Sequence, residues 1–279
     1  MNFIQSITAH LNIRVQAYLL VTKVKTSKEI KLKMTEKKPN GTWELAKTVV
    51  WAVLIATMVR TTSYEPFNIP SGSMIPTLLV GDYLFVSKFS YGYSRYSVPF
   101  SPPLISEGIF PSQPKRGDVA VFRKPTDTDV DYIKRVIGLP GDKIQIKNGS
   151  LFINGKMVER RLIEGMPKID PFGRKIFIPQ FVETLPNGRS YKVLEILGDN
   201  GGSDNTGVFS VPQGHFFMMG DNRDNSVDSR DPSVGFVPFR NFIGQAELIF
   251  WSWDKKWSWW QIWNWHKAVR FNRVFGGIR

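Results

Sequence analysis

The 279-residue sequence contains no cysteine. This absence excludes disulfides, cysteine-ligated zinc, iron–sulfur clusters and thiol catalysis. Histidine is almost absent too, and its three widely spaced copies argue against a multi-histidine metal site. Acidic residues number 24 against 37 basic ones, so the formal net charge is +13. Such a charge favours anionic partners, either nucleic acid or a membrane surface with acidic lipids.

The sequence has enough apolar residues, 42%, to fold around a core of one large or two modest domains. Short runs with β-branched and aromatic character, bounded by Gly or Pro, predict strands. These runs occupy residues 83–86, 118–122 and 131–137. Residues 143–153 form two alternating runs joined at Asn148-Gly149, which predicts a hairpin. The pattern predicts a mainly β, two-lobed soluble part.

Long apolar runs are scarce, and the strongest one is residues 48–59, which carry no charge. Twelve helical residues span about 18 Å, which is less than a bilayer core of about 30 Å. Extension to residues 45–64 gives enough length if Lys47 and Arg60 reach the two interfaces. We therefore expect a transmembrane anchor at 45–64, with a buried core helix as the alternative.

The lysine-rich region before this segment, residues 1–44, is expected to stay in the cytoplasm, because basic flanks are retained there. A cleavable signal peptide is disfavoured, since roughly 45 residues precede the apolar run. Residues 1–22 contain another apolar stretch that polar residues interrupt. We interpret it as an amphipathic or poorly ordered arm, with a second span left open.

Tryptophan is concentrated near the other end of the chain, where seven of nine copies lie between positions 251 and 265. Lysines and arginines interleave with them or follow. Indole rings prefer the headgroup region of a bilayer, and basic side chains prefer anionic headgroups. We favour a surface that rests on a membrane over an aromatic core strand or a stacking surface for single-stranded nucleic acid.

Three polar segments are candidates for catalytic chemistry. Residues 69–78 place Ser71 and Ser73 between two prolines, a rigid loop that could present a hydroxyl. Lys134 falls on the predicted strand face that carries apolar side chains, where loss of water would lower its pKa. Residues 219–230 are rich in Asp, but they lack the closing Glu of a calcium-binding EF-hand loop.

Together these motifs resemble bacterial type I signal peptidases. The resemblance is carried, in order, by PSGSMIPTL, GDYLFVSKF, KRGDVAVF, DYIKRVIGLPGD, GDNRDNSVDSR and the terminal FNRVFGGIR. It runs discontinuously from about residue 43 to the end, and residues 1–40 and roughly 160–210 carry little of it. It implies a membrane-bound serine endopeptidase that removes N-terminal signal peptides from exported preproteins, cutting after small residues.

The resemblance also implies the roles of individual residues. Ser73 would be the nucleophile and Lys134 the general base. Ser226 would hydrogen-bond and orient the lysine amine, and Asp228 and Arg230 would support that loop. A lysine can serve as the base only when neutral, so its pKa must fall from about 10.4 to about 8.

The oxyanion hole would use the backbone N–H of Ser73 and the hydroxyl of Ser71. Four hydrophobic residues would form the walls of shallow substrate pockets: Phe67, Ile69, Tyr132 and Ile133. None of the three segments contains a histidine, so a Ser-His-Asp triad lacks support, although sequence distance alone leaves one open. No metal, organic cofactor or nucleic-acid partner is implied.

The expected organisation follows from these motifs. It comprises a basic cytoplasmic arm (1–44), the transmembrane anchor (45–64), a catalytic β-domain (65–150 and 213–279) and an inserted second β-lobe (151–212). The protein would cross the bacterial plasma membrane once, with its catalytic domain on the outer face.

There are two rival interpretations of the sequence. One is a self-cleaving repressor with the same Ser–Lys chemistry, for which no DNA-binding motif is found, and the other is a non-catalytic basic scaffold. The scaffold gives no reason for the three segments to occur together.

Overall fold

The computed structural model describes residues 41–97, 110–169, 172–197 and 201–278. The chain divides into two compact units, residues 1–56 and 57–279. Residues 1–40 of the expected basic arm (1–44), including the apolar stretch at 1–22, lie outside the described residues, and residues 41–44 belong to the first helix. The domain boundaries inferred from the sequence stay a prediction.

Helix α1, Gly41–Thr62, coincides with most of the segment for which a membrane anchor was expected. Its apolar side chains at Trp43, Leu45, Trp51 and Ile55 are all more than half exposed. The helix ends two residues before the predicted end of the segment, because Tyr64 begins the first strand. Within the described ranges, no helix combines the length and the apolar character needed to cross a bilayer.

The predicted mainly β class is confirmed. The strands of the described chain are β1 (Tyr64–Asn68), β2 (Asp82–Ser87), β3 (Val119–Lys124), β4 (Asp127–Gly138), β5 (Lys143–Lys147), β6 (Ser150–Ile153), β7 (Lys156–Met157), β8 (Glu159–Ile169), β9 (Lys175–Thr184), β10 (Ser190–Leu194), β11 (Phe209–Ser210), β12 (His215–Met219), β13 (Val237–Pro238), β14 (Phe242–Ser252) and β15 (Gly276–Gly277). A short helix, α2 (Trp265–Ala268), follows β14.

Eight of these strands form the largest sheet, in the order β1-β2-β14-β3-β4-β12-β13, with β15 paired to β14. The pairs are antiparallel throughout. Strands β8 to β10 form a three-stranded sheet, and β11, β5, β6 and β7 form a four-stranded one. The chain therefore leaves the largest sheet after β4 and returns to it at β12.

The predicted hairpin is confirmed in its register and its turn. Strands β5 and β6 pair with Lys147 opposite Ser150, so Asn148 and Gly149 alone connect them. Both connecting residues have positive φ, 46° and 69°. Two successive positive φ values define the type I′ turn, and Asn-Gly is the dipeptide that adopts it most readily.

The burial of β3 on both faces explains why the motif DVAVF, residues 118–122, carries apolar residues at successive positions. Val119 and Val121 belong to a cluster with Leu84 on one face of the sheet. Ala120 and Phe122 belong to a second cluster on the other face. Successive side chains of a strand point to opposite faces, so a strand covered on both faces must be apolar at every position.

A buried carboxylate ties the C-terminal segment to the start of β2. Asp82 is fully buried and accepts hydrogen bonds from the backbone N–H of Leu79 and the hydroxyl of Ser252. Arg273, from the terminal motif, pairs with the same carboxylate and also donates to the carbonyl of Thr77 at 2.8 Å. Because a buried charge must be paired, this contact fixes the segment that follows Ser73.

The tryptophan-rich region is mostly a surface rather than a core strand. Of the seven tryptophans between positions 251 and 265, only Trp251 lies within β14, and its side chain is exposed. Four others are also exposed: Trp259, Trp260, Trp263 and Trp265. Trp253 and Trp257 are half-buried and joined by an indole hydrogen bond to a backbone carbonyl. The alternative of an aromatic core strand is therefore wrong.

Candidate active site

The loop that follows β1 positions Ser73. The backbone N–H of Ile69 donates to the carbonyl of Asp82, and the N–H of Leu78 donates to the carbonyl of Met74. Ile69, Met74 and Leu78 are buried in one hydrophobic cluster. Ser73 thus lies on a short turn held from both sides by packed side chains, and it is only 8% exposed.

Strand β4 brings Lys134 to this serine across 61 residues of sequence. The lysine Nζ lies 2.8 Å from the Ser73 Oγ and donates a second hydrogen bond to the carbonyl of Ile133 at 3.1 Å. The ring of Tyr132 lies 5.0 Å from the same nitrogen, as expected for residues on one strand face. The two predicted catalytic residues are therefore in hydrogen-bond contact.

The environment of Lys134 favours its neutral form. Its side chain is 4% exposed, and burial lowers the pKa of Lys134 from 10.5 to about 8. Asp228 and Asp221 raise this pKa through their charges, and Arg230 lowers it. Among the described residues, no carboxylate forms an ion pair with Lys134. An amine of this kind is a proton acceptor at mildly alkaline pH.

The loop between β12 and β13 closes over the nucleophile turn. The backbone N–H of Asn222 donates to the carbonyl of Ser73 at 3.1 Å. Its side-chain amide donates to the carbonyl of Gly72 at 3.0 Å. Displacing Asn222 would therefore break two hydrogen bonds to the turn that carries Ser73.

Asp228 and Arg230 form a buried pair within this loop. The Arg230 Nε and one terminal nitrogen donate to the two Asp228 oxygens, each at 2.9 Å. Burial alone would raise the pKa of Asp228, but Arg230 and the N–H of Gly220 hold it below its usual range. The supporting contact that the resemblance implies is thus present within the loop.

Ser226 is placed differently from the expectation. Its Oγ is buried, and the Lys134 amine is not among its hydrogen-bond partners. Ser226 instead interacts with Asp228 and helps to lower the pKa of that carboxyl. The hydrogen bond from Ser226 to the Lys134 amine is therefore not formed in this structure. The Ser226 side chain instead packs against Gly220: a Cβ on Gly220 would lie 2.2 Å from the Ser226 Oγ.

The remaining predicted residues are Ser71, from the expected oxyanion hole, and the four expected pocket walls. Ser71 is exposed, and its Oγ lies 3.5 Å from the Ser73 Oγ. Ile69, Phe67 and Ile133 pack into the cluster that contains Met74, on one side of the sheet. Tyr132 packs against the cluster that contains Phe122. The four expected pocket walls therefore do not form one contiguous cluster, although each lies on β1, on β4 or next to Ser71.

A buried ion pair behind the dyad was not recognised from the sequence as part of the site. Arg135 donates to both oxygens of Asp221, at 2.8 and 2.7 Å, and both side chains are 1% exposed. Thr77, which follows the nucleophile, donates to the same carboxylate. Their positions in the sequence were the available signal, since Arg135 follows Lys134 directly and Asp221 lies within the third segment.

Three carboxylates outside the dyad lie close together, those of Glu195, Asp204 and Asp224. One oxygen from each lies within 4.8 Å of the others, and burial raises the pKa of Glu195 to about 8. Oxygen donors of this kind suit a hard divalent cation. Arg160 lies 3.4 Å from the Glu195 Oε1, so a protein cation already offsets part of this charge.

Comparison with known proteins identifies the family of this chain. The family described as signal peptidase, peptidase S26, matches residues 42–251, which is more than half of the chain. The chain belongs to this family. It is therefore a serine peptidase, and the resemblance identified from the motifs is confirmed.

The relatives of this peptidase match it over most of its length. Signal peptidase I of Rickettsia canadensis is 46% identical over 245 residues, which cover 82% of this chain and 91% of the relative. Signal peptidase I of Rickettsia akari is 43% identical over 261 residues, covering 86% and 96%. A crystal structure of signal peptidase I from Enterococcus faecalis aligns at 24% identity with a TM-score of 0.29, covering 48% of this chain and 97% of that one.

We predict that Gly220→Ala strongly reduces peptidase activity. A Cβ at this position would lie 2.5 Å from the carbonyl oxygen of Ser73 as well as against Ser226, so the two loops would have to separate. A displacement of about 1 Å is expected to reduce kcat by about 100-fold. Steady-state kinetics on a peptide substrate measures this change.

Gly202→Ala is the matched control, because nothing lies within 4 Å of a Cβ built there. This variant should keep the activity of the unmodified protein. Equal activity of Gly220→Ala and Gly202→Ala would contradict the close approach of the two loops.

Proposed function

We propose that this peptidase removes signal peptides from exported preproteins by a Ser–Lys mechanism, cutting after small residues. The observation that carries this proposal is the 2.8 Å contact between the Lys134 amine and the Ser73 hydroxyl. It is supported by burial that lowers the pKa of Lys134 to about 8. A serine hydroxyl becomes an effective nucleophile only when a base takes its proton, and this amine is in place to do so.

In the first step, neutral Lys134 accepts the proton of Ser73 as its Oγ attacks the carbonyl carbon of the scissile bond. The resulting ammonium then donates that proton to the departing amine, which leaves as the N-terminus of the mature protein. The signal peptide remains attached to Ser73 as an ester. In the second step, neutral Lys134 deprotonates a water molecule that hydrolyses this ester and restores the serine.

The negative charge on the tetrahedral intermediate requires hydrogen-bond donors. Among the described residues, none accepts a hydrogen bond from the backbone N–H of Ser73. The Ser71 hydroxyl is exposed and lies beside the nucleophile. We assign the oxyanion hole to these two groups. Ser226 remains the proposed orienting residue, in a rotamer that brings its hydroxyl to the amine.

The substrate is expected to bind as an extended strand. Strand β1 is at one end of the largest sheet, and it leads directly into the segment that carries Ser71 and Ser73. An extended peptide can therefore add to a free strand edge next to the nucleophile. Phe67, Ile69, Tyr132 and Ile133 remain the proposed walls of shallow pockets that accept small residues at the first and third positions before the cut.

We also propose that the enzyme acts at the bacterial plasma membrane, with the catalytic part on the outer face. The exposed apolar side chains of α1 support anchoring in lipid. The exposed tryptophans between positions 251 and 265 support a second contact, in the headgroup region. Such contacts would hold the active site at the depth where the cleavage site of a membrane-inserted preprotein emerges.

The dyad is tested with Ser73→Ala and Lys134→Ala in a detergent-solubilised preprotein cleavage assay. We expect kcat to fall by at least about 1,000-fold in each variant, because either change removes the activated nucleophile. Lys143→Ala, which removes an exposed lysine from β5, is the matched control and should cleave normally. Full activity of Lys134→Ala would refute the proposed base.

The membrane contact is tested with a triple variant, Trp259→Ala, Trp260→Ala and Trp263→Ala. In anionic vesicles, cleavage of a membrane-inserted preprotein should slow several-fold, while cleavage of a short soluble peptide should not change. A control variant replaces three exposed apolar residues of another sheet, Leu162, Ile169 and Phe177, with Ala. If the tryptophan variant cleaves the membrane-inserted preprotein as fast as the control does, the proposed membrane surface is wrong.

A further inference from the structure

A buried pair of residues in the three-stranded sheet faces the catalytic loop. Glu183 on β9 lies directly opposite Tyr191 on β10, and their side chains are 0% and 5% exposed. The Tyr191 hydroxyl donates a hydrogen bond to the Glu183 Oε2 at 2.7 Å. Neither residue belongs to a motif that carries the family resemblance, since that part of the sequence contributes little to it.

This pair binds Arg223, which lies three residues before Ser226. One terminal nitrogen of Arg223 donates to the Glu183 Oε1 at 2.8 Å, and the other donates to the Glu183 Oε2 and the Tyr191 hydroxyl. The Arg223 side chain is 2% exposed. A bidentate, fully buried contact of this kind fixes both the position and the orientation of the guanidinium group.

The same tyrosine also contacts the strand that carries the base. Its ring lies 4.2 Å from the guanidinium carbon of Arg135, the residue after Lys134. Strand β10 then continues along the catalytic loop, where the N–H of Leu194 donates to the carbonyl of Asp221. The three-stranded sheet therefore contacts the neighbours of both Lys134 and Ser226.

We propose that Glu183 and Tyr191 are positioning residues for the Ser73–Lys134 dyad, a proposal that rests on the proposed Ser–Lys mechanism. The physical reason is that Glu183 forms the ion pair with buried Arg223, to which Glu195 adds a smaller charge interaction. Moving the loop away from the sheet would break this ion pair and leave a buried guanidinium poorly compensated, so the pair holds the loop in place. The loop in turn donates to the Ser73 carbonyl through Asn222. Loosening Arg223 therefore displaces the nucleophile and admits water to the amine.

A purely structural role of Glu183 would have a different consequence from a positioning role. If Glu183 only stabilised the sheet, its loss would lower the folded fraction and leave the pH profile of the folded enzyme unchanged. A positioning role changes the protonation of Lys134, because added water favours the charged amine. The alkaline rise of kcat should then move to higher pH.

The experiment compares Glu183→Gln and Tyr191→Phe with the unmodified full-length enzyme in a preprotein cleavage assay. Both variants keep the shape of the side chain, and Tyr191→Phe loses only the hydroxyl while the ring stays on Arg135. We expect kcat to fall by about 10- to 100-fold with KM nearly unchanged, and the alkaline rise to shift upward. Glu159→Gln, at an exposed carboxylate on β8, is the matched control and should behave normally.

A normal kcat and an unchanged pH profile in folded Tyr191→Phe would overturn the proposal, even if Glu183→Gln fails to fold. A loss of kcat that only follows the unfolded fraction, measured by circular dichroism, would overturn it as well. Failure of the unmodified enzyme to cleave the preprotein would overturn both this proposal and the proposed function. Normal cleavage that depends on Lys134, together with unaffected variants, would overturn this proposal alone.

Discussion

The proposed chemistry of this protein depends on one buried amine beside one hydroxyl. A lysine exposed to water is almost entirely charged near neutral pH and accepts no proton. Here burial excludes water from Lys134, and no carboxylate of the described residues forms an ion pair with it. The pKa of Lys134 therefore falls to about 8. In the proposed mechanism, this lowered pKa makes the amine available as the general base.

Paired charges surround this single unpaired amine. Asp221 binds Arg135, Asp228 binds Arg230, and Glu183 binds Arg223, each with little or no exposure to solvent. These pairs hold three chain segments around the dyad: the strand with the base, the turn with the nucleophile and the loop with Ser226. Because each pair satisfies its own charge, none needs Lys134 as a partner. The buried pairs thus fix the geometry of the site while leaving the amine free to lose its proton.

Local patterns in the sequence predict much of this fold. Runs of β-branched and aromatic residues identify β3 and β4, and alternation with an Asn-Gly turn identifies the hairpin at Asn148-Gly149. These features depend only on neighbouring residues. The dyad is recognisable through the order of long motifs, since Ser73 alone sits in an ordinary turn sequence and Lys134 is one among 37 basic residues. The contact of Glu183 with Arg223 joins residues 40 positions apart, one on β9 and the other in the loop between β12 and β13. The rotamer of Ser226 and the end of α1 likewise depend on tertiary packing, which sequence periodicity does not describe.

The most direct test of this account is a titration of Lys134 itself. Nuclear magnetic resonance of the lysine side-chain nitrogen, in folded Ser73→Ala protein and in the unmodified enzyme, follows its protonation as pH rises. The account predicts that Lys134 loses its proton near pH 8. Below that pH the amine is charged and cleavage stops, and above it the base is available. A midpoint for Lys134 near 10.5, together with that of an exposed lysine, would contradict the central claim.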